Sequence, residues 1–226
     1  MTFRTKLLSS ACLIALSTGA VQAQGLSAPN TGWNGAYVGG LVGAGFQTSR
    51  LTDVNGNFGP NGSVYSPYAT GVAFGLYGGY NWQFSPTTLL GVEADITYNT
   101  ASGSALTFSN PVTVNAKAQF AGSLRVRAGF VVDRALFYVT GGLAVGNPSI
   151  SVGPPGLTWA RQNSLRVGYV LGLGTEYQVT RSWTVRFEGL YYDFGTSRAD
   201  DLVGVGYNFP TRSSQFQARV GASYRF

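Results

Sequence analysis

The polar chemistry available to this chain rests on eleven charged side chains in its regular segments. They are Glu93, Asp95, Lys117, Arg125, Arg127, Arg166, Glu176, Arg186, Glu188, Arg219 and Arg225, seven basic and four acidic. Charges arranged this way could form a lining that attracts anions. The favoured reading is instead a plug in which each acid finds a guanidinium, because an unpaired interior charge is costly. Other chemistries fall away by residue type. The 226-residue sequence has no histidine, which removes imidazole bases, the serine and cysteine triads and histidine zinc sites. Its one cysteine, Cys12, follows Leu8-Ser9-Ser10-Ala11 and reads as an apolar residue of a leader, with too little apolar chain ahead of it for a lipoprotein box. Gly172-Leu173-Gly174 lacks the third glycine and the helix of a dinucleotide loop. Asp200-Asp201 has no further carboxylates at calcium-loop spacing. The pI of about 9.6 comes from arginines that alternate along the chain and form no surface run, so no nucleic acid partner is expected. Neither an enzyme, a metal site nor a cofactor is expected.

The elements that position these charges follow from composition and period. Glycine numbers 32, charged residues are 11% and aromatic residues 14%, a balance unlike that of disordered chains. Arg4 and Lys6 precede an apolar stretch, 7–20, and then Val21-Gln22-Ala23. That order predicts a signal peptide over 1–23 with cleavage before Gln24, leaving 24–226 as a single β-barrel domain. The longest charge-free runs, 54–92 and 135–160, are broken by proline, so no membrane-spanning helix is predicted after the leader.

Instead the period is two. In 116–130 one parity carries Lys117, Arg125 and Arg127, and the other carries Phe120, Leu124, Val126 and Phe130. Segments 88–99, 164–179, 183–192 and 215–226 repeat the division, and all eleven charges fall on the polar parity. Three uncharged segments, 36–47, 71–84 and 135–146, complete a set of eight strands. An apolar face rich in Tyr, Phe, Leu and Val on every strand suits lipid outside and a polar interior. Tight links at 85–86, 132–134 and 180–182 alternate with long ones near 48–70, 99–115, 147–163 and 193–213. Outer-membrane barrels alternate in this way. The reading is an all-β, eight-stranded antiparallel up-and-down transmembrane barrel with both termini in the periplasm. Ten strands remain open if 48–70 hides a hairpin. Trp82, Tyr98, Tyr177, Trp183 and Tyr224 are expected in interface girdles. A turn centred on Arg181 places Glu176 opposite Arg186.

The ordered series Trp33-Asn34-Gly35-Ala36-Tyr37-Val38-Gly39-Gly40, Gly79-Tyr80-Asn81-Trp82-Gln83, Gly91-Val92-Glu93-Ala94-Asp95 and Ser123-Leu124-Arg125-Val126-Arg127-Ala128-Gly129-Phe130 resembles the small outer-membrane immunogenic protein family of Gram-negative bacteria. This is a porin-like group with an OmpA-type eight-stranded barrel. Tyr138–Ala144 and Tyr191–Gly195 are similar to later stretches of the same family. Tyr224 and Phe226 resemble the aromatic-ended signal read by the barrel-assembly machinery. Gly189 departs from the family, which more often has an aromatic residue there. The resemblance implies an outer-membrane location, surface-exposed loops and no known substrate. A structural and surface-antigen role is therefore expected. The alternatives are a passive channel for small hydrophilic solutes and an adhesion module acting through the four long loops. Expected partners are outer-membrane lipid and lipopolysaccharide, together with the assembly machinery. The loop charges Arg50, Arg161, Arg198 and Arg212 could touch lipopolysaccharide phosphates, although isolated loop arginines are more often simply solvated.

Overall fold

A computed structural model of the chain describes residues 32–54, 56, 60–107, 112–117, 120–154, 158–162, 164–201 and 209–226. The predicted signal peptide, 1–23, lies outside the described residues. Thirteen strand segments form one closed antiparallel sheet. They are β1 (Gly35–Asp53), β2 (Ser63–Tyr65), β3 (Tyr68–Gln83), β4 (Thr88–Asn99), β5 (Ser102–Leu106), β6 (Thr113–Lys117), β7 (Phe120–Val132), β8 (Ala135–Gly146), β9 (Ser149–Gly153), β10 (Ala160–Gln162), β11 (Arg166–Gln178), β12 (Trp183–Asp201) and β13 (Phe209–Arg225).

These segments reduce to eight strands. Around the lower barrel the order is β1, β3, β4, β7, β8, β11, β12 and β13, with β13 returning to β1. Around the end that carries the long connections it is β1, β3, β5, β6, β9, β10, β12 and β13. Each short segment prolongs a long one: β5 prolongs β4, β6 leads into β7, β9 prolongs β8 and β10 leads into β11. In the 48–70 connection β2 pairs with β1, Leu51 opposite Tyr65, and so extends the β1–β3 hairpin without adding a strand. The connections expected as turn-rich loops thus rise in part as barrel wall.

Side-chain alternation divides the wall into two faces. On β1 the odd positions point inward, so Tyr37 and Leu41 are buried while Val38 and Val42 are half exposed outside. Leu124 and Leu171 also project outward, at 61% and 55% exposure. Glycine makes room where inward tyrosines cross the bore. A Cβ on Gly79 would lie 2.5 Å from the Tyr37 hydroxyl, and one on Gly174 would lie 2.5 Å from that of Tyr138. The β7–β8 turn is so tight that Asp133 takes φ 51°, a conformation aspartate tolerates better than most residues.

Candidate functional site

Eight of the charged residues meet in a belt across the bore. β4 supplies Glu93 and Asp95, β7 supplies Arg125 and Arg127, and β11 supplies Glu176. Arg186 and Glu188 come from β12, and Arg219 from β13. Three pairs are set by strand register: Glu93 faces Arg125, Glu176 faces Arg186, and Glu188 faces Arg219. The Glu176–Arg186 pairing is the one the turn spacing predicts.

Long arginine side chains then tie strands that are not neighbours. Arg186 Nη1 donates to Glu93 Oε1 at 2.9 Å, and Arg127 Nη1 donates to Glu176 Oε1 at 2.7 Å. Arg125 Nη1 donates to Glu188 Oε1 at 2.9 Å, and Arg219 Nη1 to Asp95 Oδ1 at 3.3 Å. Arg125 also pairs with Glu93. Side-chain exposure throughout the belt is 0–3%. Four guanidinium groups against four carboxylates make the belt neutral, which is how buried charges avoid the penalty of standing alone.

Tyrosines complete it. Tyr37 Oη donates to Glu93 Oε2 at 2.7 Å, and Tyr138 Oη donates to Glu188 Oε1 at 3.0 Å. Tyr192 accepts from Arg219, and Ser123 donates to Asp95. The Arg186 guanidinium lies 4.0 Å from the centre of the Tyr77 ring, a favourable cation–π distance. Apolar layers cover the belt at both ends. Trp33, Leu89, Val131, Leu136 and Tyr138 pack together near the short turns. Val170, Leu190, Tyr192 and Phe194 pack together toward the long connections.

Three residues expected in this network stand apart from it. Lys117 is a correction, because it lies exposed on β6. On β6 the even positions Val114 and Ala116 are buried, whereas on β7 the odd positions Ala121, Ser123, Arg125 and Arg127 are. The alternation slips by one residue between the two segments, so the parity that carries Arg125 inward carries Lys117 outward. Arg166 keeps the inward parity but sits near the long-connection end opposite Gly146, with no ion pair among the described residues. Arg225 is buried at the other end, 4.7 Å from the Trp33 ring centre, and donates to the Arg181 carbonyl at 2.9 Å.

Sequence reasoning missed Tyr37, Tyr77, Tyr138 and Trp33. The stretches of β1, β3 and β8 that hold the tyrosines, and the approach to β1 that holds Trp33, carry no charge to mark the inner face. A usable signal was there nonetheless: on β1 and β3 the tyrosines share their parity with Gly39, Gly43, Gly75 and Gly79.

Outward aromatics form two girdles. Trp82, Tyr177, Trp183 and Tyr224 lie near the short turns and Tyr98 near the long connections, all exposed. Tyr224 packs edge-on against Trp183 and Phe226. At the other rim Phe46 stacks between Tyr68 and Phe216, at 6.5 and 6.3 Å. Just beyond it Arg212 Nη2 donates to Asp193 Oδ2 at 2.7 Å. Of the remaining rim arginines, Arg50 is exposed, and Arg161 and Arg198 enter the strand ladders opposite Asp200 and Pro210.

Residues 9–226 match the outer membrane protein beta-barrel domain family. The chain is 31% identical over 209 residues to the 31 kDa outer-membrane immunogenic protein of Brucella melitensis biotype 1, covering 86% of this chain and 84% of that one. It is 31% identical over 172 residues to the 22 kDa outer membrane protein of Rhizobium leguminosarum bv. viciae, covering 76% and 69%. Among solved structures, Neisserial surface protein A aligns with a TM-score of 0.44 at 13% identity, over 83% of this chain and 97% of that one.

Proposed function

The chain belongs to the outer membrane protein β-barrel family and lies in the outer membrane, and from that premise we propose that it is a closed structural barrel whose long-connection end is displayed as a surface antigen. The observation that carries this reading is the neutral belt. Seven basic and four acidic inward charges would have favoured an anion-attracting bore. With Lys117, Arg166 and Arg225 outside the belt, four arginines meet four acids and fill the cross-section. An eight-stranded barrel is only wide enough for its own side chains to do this. The immunogenic naming of the Brucella relatives supports display at the surface. The family and relatives bear names without an activity, and we assign none to this chain.

In this reading export uses the 1–23 leader, both termini are periplasmic, and Tyr224 and Phe226 present the end recognised by the barrel-assembly machinery. Two measurements test it. The refolded chain in a planar bilayer should give no steady conductance, and reproducible channels would favour the passive pore. A tag inserted at Asn61-Gly62, exposed beyond β1, should be labelled on intact cells. Labelling only after the outer membrane is broken would overturn the display.

A further inference from the structure

The rim of the lipid-facing wall carries an arrangement that the closed-barrel reading leaves unexplained. Arg50 on β1 and Arg212 on β13 are direct cross-strand partners. Both occupy outward positions and both are exposed. Like charges placed directly opposite each other destabilise a sheet, so the pair calls for an anion. Arg212 gives one contact to Asp193, and its side chain stays 61% exposed. Arg50 has no ion pair among the described residues. The pair stands beyond the Phe46–Phe216 stack, at the level where lipid headgroups meet a barrel.

Below it the wall is hollowed. One depression lies between Phe46, Tyr68, Tyr191 and Phe216. A second depression, which shares Tyr191 and Phe216 with the first, has its floor at Gly189 and Ala218 and is flanked by Leu171 and Phe187. Gly189 occupies an outward position between the large outward residues Phe187 and Tyr191. A Cβ there would come no nearer than 3.5 Å to Phe216, so the barrel itself leaves room for a side chain. The space opens to the bilayer. From Arg212 to Ala218 the strand rises about 20 Å. With the usual barrel tilt this is close to one leaflet, half of the roughly 30 Å hydrocarbon core.

We propose that Arg50 and Arg212 clamp a phosphate of the phosphorylated glycolipid of the outer leaflet while one of its acyl chains lies in the groove over Gly189 and Ala218. Guanidinium forks suit phosphate oxygens, and the groove presents mainly apolar contacts to a chain, with Thr48 and Ser214 at its rim end. The inference rests on the outer-membrane placement and is independent of whether the bore conducts.

The test uses the refolded chain in zwitterionic micelles with fluorescent lipid A as the probe and heat-modifiable gel mobility as the check on folding. Arg50→Ala with Arg212→Ala should weaken binding about tenfold or more. Dephosphorylated probe should bind the unaltered barrel as weakly. Gly189→Phe, which fills the groove, should also weaken binding while both arginines remain. Binding unchanged by the arginine pair overturns the clamp, and binding unchanged by Gly189→Phe overturns the groove. Equal binding of fluorescent phosphatidylglycerol overturns the choice of glycolipid. If Gly189→Phe instead abolishes cross-linking between barrels, the groove is a contact between copies and the proposal fails. A chain that never becomes heat-modifiable would overturn the barrel placement itself.

Discussion

The lower barrel and its extension toward the long connections obey opposite rules. In the lower barrel Val38, Val42, Leu124 and Leu171 face out, and Glu93, Arg125, Glu176 and Arg186 face in. In the extension Leu51, Tyr65, Val112, Val114, Ile150 and Val152 form a buried cluster with Trp159 against it, while Arg50, Ser104 and Lys117 face out. A single strand changes rule along its length: on β1 the outward positions run Val38, Val42 and Phe46 and then Thr48 and Arg50. The surroundings decide this. Against water, burying apolar surface drives folding. Against lipid that gain vanishes, so hydrogen bonds and ion pairs inside the bore must specify the structure.

The contrast can be broken from either side. Glu93 takes contacts from Arg125, Arg127 and Arg186, so Glu93→Gln strands buried positive charge. It should lower stability by about 3–5 kcal/mol in urea unfolding of the lipid-refolded barrel. Ile150→Ala empties part of the apolar cluster and should cost about 2–5 kcal/mol. Because that cluster lies in the extension, the loss should show as faster proteolysis there with heat-modifiable mobility kept. Loss of the whole barrel would mean the two regions fold as one unit.

Leu171→Arg on the lipid face should cost about 2–4 kcal/mol in the same unfolding assay, whereas Ser104→Arg on the outward face of β5 should stay within about 0.5 kcal/mol. Equal costs would erase the distinction between lipid and water. The last expected effect concerns one pair. A double-mutant cycle with Glu176→Gln and Arg186→Gln should give a coupling of about 0.5–3 kcal/mol. A value near zero would mean that water screens the pair as it does an exposed one.

The same contrast explains what could be read from residues alone. Strand number, tight turns, outward faces and the Glu176–Arg186 register were legible because charges alternate strictly with large apolar residues on five strands. Lys117 was misplaced because the change of phase between β6 and β7 leaves no mark in the pattern. The tyrosine half of the belt was hidden in uncharged stretches of strand, where bulky tyrosine and glycine trade places across the bore. The extension was legible only as turn-rich sequence. Its segments are three to five residues long, too short for period to speak, and they hold together by pairing with one another.

Because the long connections stand as pleated wall, neighbours on the outer surface come from distant parts of the chain. Asn115 on β6 lies beside Ser151 on β9. An antibody footprint there spans several segments at once and exists only while the sheet is intact. Epitopes of this kind are conformational, so serum raised against the folded barrel should lose most of its binding to the denatured chain and to peptides copied from any one connection.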